Sequence, residues 1–252
     1  MIIRAVKFLV RTGVEAAVLT VALVGGGLIA HAVIREPLTG SGKPATENRS
    51  IGNVSELVIS GGGKVDIVRG DMPNVRVTAD DNILPQVETR YRNGKLTLCT
   101  KTGSNIQPVT PITYTVTLPG LEKLTVSGAG NVSTTGLTGD VMTVKLSGAG
   151  TAVLNNISCR TLNLTLSGAG HAKMSGSVER LETHLSGAGE IEARDLKTKQ
   201  ADTHISGAGT ASVWATEDLK AHISGAGTIY YKGTPRIEQR VSGAGSVKPR
   251  AE

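Results

Sequence analysis

The chain has 252 residues and a formal charge of +6, length enough for one large domain or two small ones. With 32 glycines and only 2% aromatic residues it cannot fill an irregular core with rings. Its interior must be narrow and packed with Val, Leu, Ile, Ala and Thr. The basic residues form no block and lack stacking aromatics, which argues against a nucleic-acid partner.

At the N-terminus, Arg4, Lys7 and Arg11 precede an apolar stretch from about Val14 to Ile34, broken by Glu15 and His31. The cationic start, the apolar run from Ala16 to Ala30 and the small residues Ala30 and Ala32 fit a signal peptide. The same stretch is long enough to span a bilayer as an uncleaved anchor helix. Both readings stand for residues 1–35. Both export the rest of the chain, to the periplasm or cell surface, and a retained segment would hold it at the membrane.

Residues 36–50, with Pro37, Gly40, Ser41, Gly42 and Pro44, read as a flexible tether. Residues 51–120 read as short strands: Glu56–Ser60, Lys64–Arg69, Val75–Ala79, Gln86–Arg90, Lys95–Thr100 and Thr113–Leu118. Cys99 and Cys159 have no ligand-like neighbours, and a disulfide and two free thiols are both open.

From residue 121 to 247 one tetrad recurs, first as Ser127, Gly128, Ala129 and Gly130. It returns at Ser147 with Gly148 and Gly150, Ser167 with Gly168 and Gly170, and Ser186 with Gly187 and Gly189. Three more follow: Ser206 with Gly207 and Gly209, Ser224 with Gly225 and Gly227, Ser242 with Gly243 and Gly245. The steps are 20, 20, 19, 20, 18 and 18 residues, a period that marks a solenoid.

One position before each serine is aliphatic: Val126, Leu146, Leu166, Leu185, Ile205, Ile223 and Val241. The flanking positions alternate with polar residues, the period of a strand with one buried face. No segment of a repeat reads as a helix. One coil alone buries too few aliphatic side chains to offset the ordering of its backbone, so the coils must stack. The fold expected is all-β: a right-handed parallel β-helix of stacked Ser-Gly-Ala-Gly repeats. The tetrad should form its corner, with glycine supplying the turn, alanine facing the interior and serine hydroxyls bonding to neighbouring backbone. Ser60 to Gly63 looks like a degenerate first corner. Residues 51–120 should therefore cap the solenoid, an independent β domain being the alternative. Residues 248–252 form a tail in which Lys248, Pro249 and Arg250 blunt the last edge.

The stretches Glu56 to Ser60, Val65 to Asp71 and Val75 to Val77 open a longer pattern. It continues through Asn93 to Leu98, Ile112 to Leu121 and the tetrad after Val126. Over about residues 50 to 247 this pattern resembles the bacterial family of auto-transporter adhesin head GIN domains. The resemblance implies a β-helix similar to pectin-lyase-like folds, an exported location and an adhesion role. It brings no catalytic residues and no cofactor.

The glycines invite other motifs that do not hold. A phosphate-cradling GxGxxG needs a third glycine where Ser133 stands, and a helix that is missing. Calcium-binding nonapeptides need aspartate after the tetrad, where Asn131, Thr151, His171, Glu190, Thr210, Thr228 and Ser246 stand. Asp80 and Asp81 are the adjacent acids, read as a solvated turn and not as a hydrolase pair.

The residue two before each serine forms an outward column that includes His184, His204, His222 and Arg240. The plain reading is a solvated face. The sharper reading is a metal-binding or pH-responsive strip, with His184, His204 and His222 as ligands.

The first functional reading is a non-enzymatic binding or adhesion module for a glycan, an envelope polymer or a protein, with room for a homo-oligomer. The alternatives are a carbohydrate-active enzyme on a β-helix and an envelope scaffold or stress-response partner without a ligand of its own.

Overall fold

The computed structural model describes residues 36–250, backbone and side chains. The leader, and with it the expected signal peptide or anchor helix, lies outside the described residues. Among the described residues no helix is long and apolar enough to cross a membrane.

The chain is all-β, a solenoid of about six turns. The strands of the front part are β1 (Leu38–Thr39), β2 (Pro44–Ser50), β3 (Glu56–Ser60), β4 (Lys64–Arg69), β5 (Asn74–Asp80) and β6 (Val87–Arg92). They continue with β7 (Lys95–Thr100), β8 (Ile106–Gln107) and β9 (Thr113–Leu118). The repeats supply β10 (Lys123–Gly128), β11 (Asn131–Thr135), β12 (Thr138–Gly148), β13 (Thr151–Gly168) and β14 (His171–Gly187). Next come β15 (Glu190–Gly207), β16 (Thr210–Gly225), β17 (Thr228–Lys232), β18 (Arg236–Ser242) and β19 (Ser246–Pro249).

Successive repeats pair in parallel and in register, tetrad on tetrad: Ser147 on Ser167, Ser167 on Ser186, Ser186 on Ser206, Ser206 on Ser224. Equal offsets therefore stack into columns, and the inward columns are the core. Leu124, Val144 and Leu164 make one such column and Val126, Leu146, Leu166, Leu185 and Ile205 another, all buried. Unequal repeat lengths are absorbed away from the tetrad corner. The register shifts fall between Leu154 and Ile157, Lys173 and Ser175, Ala193 and Lys197, and Thr198 and Gln200.

At the corner the first glycine has φ between +105° and +132°, a region costly for any residue with a Cβ. A Cβ on Gly187 would also meet the carbonyl oxygen of Gly168 at 2.4 Å. The last glycine, not the alanine, faces inward: Gly170, Gly189 and Gly209 are buried while Ala169, Ala188 and Ala208 are exposed. That corrects the expected orientation. A Cβ on Gly189 would strike Leu166 at 2.4 Å, so even alanine is too large for the interior position. Backbone bonds tie each corner to the one below, Ala188 N donating to Gly168 O at 3.0 Å and Ala208 N to Gly187 O at 3.0 Å. The serine side chains are not needed for this and point outward.

In the front part, β3 lies parallel to β10, and β4 parallel to β11, so residues 56–69 form one more coil under the first tetrad. On the far side of β3 lies β7, also parallel, and β6 closes that edge antiparallel to β7. On the far side of β4, β9 is parallel, β5 antiparallel to β9, and β2 antiparallel to β5. β2 falls inside the segment read from sequence as a flexible tether. It carries no apolar alternation and no buried side chain, and is held by backbone pairing from Pro44 opposite Asp80 to Ser50 opposite Asn74.

Asp80 is likewise not in a solvated turn. It is fully buried, and its carboxylate accepts hydrogen bonds from Gly42 N at 3.0 Å, Val109 N at 2.9 Å and Thr110 N at 3.0 Å. Burial alone would raise its pKa, but the bonds from Thr110, Val109 and Gly42 outweigh that and hold it below the ordinary aspartate value. Asp81 is exposed and accepts from the Ser41 hydroxyl. The two acids thus latch the segments around residues 40, 81 and 109 together. Cys99 and Cys159 are free thiols, and burial, then Asp140, pushes the pKa of Cys159 up to about 11.

Candidate functional site: a histidine ladder beside a serine ladder

The strand before each tetrad turns alternate side chains outward, so the residues four and two positions before the serine share its face. In the upper coils these are Glu182 and His184, Asp202 and His204, Lys220 and His222, Glu238 and Arg240. Parallel in-register pairing puts His184 beside His204, His204 beside His222, and His222 beside Arg240. The imidazole rings stack, with centroids 4.8 Å apart at 19° for the first pair and 4.5 Å apart at 10° for the second. The structure therefore brings together the three histidines that the sequence singled out.

Each of the first two histidines leans along its own strand toward an acid. His184 Nε2 lies 2.9 Å from Glu182 Oε1, and His204 Nε2 lies 2.9 Å from Asp202 Oδ1. Asp202 Oδ1 is a buried atom, and His204 Nε2 is its close charged contact. Burial pushes the pKa of His204 down; Asp202 opposes the shift without reversing it, and His222 and His184 reinforce it. The middle ring is thereby biased toward its neutral, lone-pair-bearing form.

Beside the histidines runs the serine column, Ser127, Ser147, Ser167, Ser186, Ser206, Ser224 and Ser242. A shallow trough of about 550 Å³ follows both ladders from His184 and Ser186 to Arg240 and Ser242. Other outward columns are occupied along the solenoid axis. Glu56 pairs with Lys95 at 3.4 Å and Lys123 at 3.1 Å, Arg160 with Asp140 at 2.6 Å, and Arg236 with Asp218 at 2.7 Å. Arg180 and Asp218 both bond Gln200, extending that chain of contacts. The serine hydroxyls have no such partners among the described residues.

Sequence reasoning missed two features. One is Asp202 as a donor beside His204, visible only as an acid two residues earlier on the same face. The other is a second group, His171, Glu190 and Glu192, on the strand after the corner. Its signal was present in the sequence, since His171 and Glu190 hold the same offset in adjacent repeats. There the acids are already engaged, Glu190 by His171 at 3.5 Å and Glu192 by Lys173 at 3.9 Å and Arg194 at 3.5 Å.

Stacked coils whose polar groups run in columns along the outer faces define a parallel β-solenoid. The chain belongs to the family described as "Putative auto-transporter adhesin, head GIN domain", whose profile matches residues 53–235. A solved structure described as a "putative adhesin" from Bacteroides fragilis is similar at 24% identity and a TM-score of 0.80, covering 84% of this chain and 99% of its own. A "Putative lipid binding protein" from Parabacteroides distasonis is similar at 24% identity and a TM-score of 0.73, with 86% and 100% covered. A "putative adhesin" from Parabacteroides merdae gives 23% identity and a TM-score of 0.65, with 84% and 98% covered. At these identities the likeness is one of fold. No curated protein matches the sequence.

Proposed function

We propose that this chain is an exported, non-enzymatic binding module of the cell envelope whose serine and histidine face docks onto a repeating polymer or a protein surface. The carrying observation is the run of outward hydroxyls, one per coil, with no partners among the described residues. Coils stack at a strand-to-strand spacing of about 4.8 Å, so this face offers donors and acceptors at a regular interval. A glycan or envelope polymer presents its own groups at intervals and can be met by several rungs at once. Adhesin names among the family and the fold relatives support the reading, as does a leader suited to export. Parallel connections of this kind favour a right-handed winding.

The test is retention of the full chain on purified envelope polymers and on a glycan array, compared with a Ser206→Trp variant. Ser206 is exposed, so the variant should fold normally while its indole blocks the face. A loss of binding of tenfold or more is expected. Unchanged binding by Ser206→Trp would move the site elsewhere on the solenoid. Absence of any polymer or protein bound by the wild-type chain would end the proposal.

A further inference from the structure

We propose that Asp202, His204 and His222 form a binding site for a divalent transition-metal ion of the zinc class. One ligand atom from each residue can be chosen so that all three lie within 4.8 Å of one another. Zinc takes nitrogen and carboxylate donors at about 2.0–2.2 Å, so two donors on one ion stand roughly 3.4 Å apart. The contact between His204 Nε2 and Asp202 Oδ1, at 2.9 Å, is already inside that separation. The remaining closure is a rotation of the His222 ring, which is only half-buried and starts stacked on His204 at 4.5 Å.

The backbone beneath the site is fixed. His204 and His222 are paired neighbours in a parallel ladder, and Asp202 sits two residues from His204 on the same outward face. Donors held on strands need little ordering when the ion arrives. Asp202 Oδ1 is buried, and its contact in the protein is the 2.9 Å approach of His204 Nε2, an arrangement that a cation held between the two would satisfy.

Two imidazoles and one carboxylate suit zinc, copper or nickel better than calcium or magnesium, which prefer all-oxygen shells. The outward position leaves a coordination place facing solvent. His184, stacked 4.8 Å from His204 and bonded to Glu182, stands beside the site as a reserve donor. The other candidate group is poorer because Glu192 is shared by Lys173 and Arg194. Asp202 faces Lys220 across the ladder, yet its close charged contact is with His204. The inference stands on these donors alone and does not depend on the adhesive reading.

The experiment is calorimetric titration of the full, tag-free chain with zinc chloride near neutral pH. Histidine side-chain resonances are followed by NMR in parallel. One ion per chain with micromolar affinity is expected, with shifts at His204 and His222. His204→Ala and Asp202→Asn should each weaken binding by tenfold or more, whereas His171→Ala should leave it unchanged. All three sites are partly solvent-accessible, and thermal melts establish that each variant is folded. No saturable heat in wild type, undiminished binding in folded His204→Ala, or shifts confined to His171 would overturn the assignment.

Discussion

The front end of the solenoid and its repeat stack solve the same problem in different ways. In the stack a coil is covered above and below by near-copies of itself. The coil at residues 56–69 has a copy on one side only. Its other side is covered by β7 and β9, and the outermost positions go to antiparallel strands, β6 on one edge and β5 with β2 on the other. The result is a sealed interior: Leu57, Ile59, Val65 and Ile67 are all buried. The coil formed by β18 and β19 has a copy on one side and no such cover among the described residues. Its inward positions Ile237 and Val241 are 38% and 42% exposed. Covering by like or unlike neighbours, and not the residue at a given offset, decides what a column contributes.

The largest effect should come from the corner. Gly187→Ala puts a side chain at φ +121° and within 2.4 Å of the Gly168 carbonyl oxygen. Strain and displacement of a backbone shared by two coils should together cost about 4 kcal/mol or more. Ala188→Ser, one residue on and exposed, should change stability by less than about 0.5 kcal/mol. Thermal melts of the pair read the contrast directly. Equal melting temperatures would show that the corners are not what locks the coils together.

A second pair compares covered with uncovered columns. Leu164→Ala, fully buried at the middle of the stack, should cost about 3 kcal/mol through lost burial and a cavity. Ile237→Ala should cost under about 1 kcal/mol, since much of its side chain already meets water. Denaturant unfolding of both variants ranks them. A similar loss at Ile237 would mean that something covers that coil in solution.

The buried polar groups divide along the same line. At the front, Asp80 is buried with its oxygens taken up by three backbone N–H groups. Its folded pKa is depressed, so the stabilisation is present above the unfolded value and is lost as pH falls through the folded one. Asp80→Asn should lower the melting temperature at neutral pH, and the gap from wild type should begin to narrow as pH drops below about 4 and go on narrowing through the lower folded value. A gap that does not narrow at all as pH falls below about 4 would show that the charge on Asp80 is not what holds the latch.

The stack was legible in the sequence because equal offsets become neighbours, so counting back from each serine was enough to place His184, His204 and His222 in one column. The same count, carried three residues past the serine, also places Ala169 outside and Gly170 inside. Expecting alanine to fill the interior overlooked that even a Cβ there meets Leu166, as it does at Gly189. The front end was harder to read. Its strands from Glu56 to Thr100 could be found by alternation, but β2 is bound by backbone pairing, which leaves no mark on side-chain pattern. Asp80 looked solvated because the amides that bind it come from segments 29 and 38 residues away. The pairing of Asp202 with His204 depends on side-chain direction within a face, which period alone does not determine.

A smaller effect than at the corner should appear inside the stack, at one position with a sign opposite to the others. Thr183 and Thr203 occupy the inward column that holds Leu164 below them and Ala221 above, and both are fully buried. Their hydroxyl oxygens have no hydrogen-bond partner, unlike the carboxylate of Asp80. Thr198 is also buried, but its hydroxyl bonds the Gln200 carbonyl at 3.0 Å. Exchanging hydroxyl for methyl at Thr203 removes an unpaid desolvation and should stabilise by about 1 kcal/mol. The same exchange at Thr198 discards a bond and should destabilise by about 1 kcal/mol. Melting temperatures that rise for Thr203→Val and fall for Thr198→Val would show that the columns are limited by unsatisfied polar atoms. A fall in both would mean that the Thr203 hydroxyl finds a partner in solution, and that the stack satisfies its buried groups as fully as the cap does.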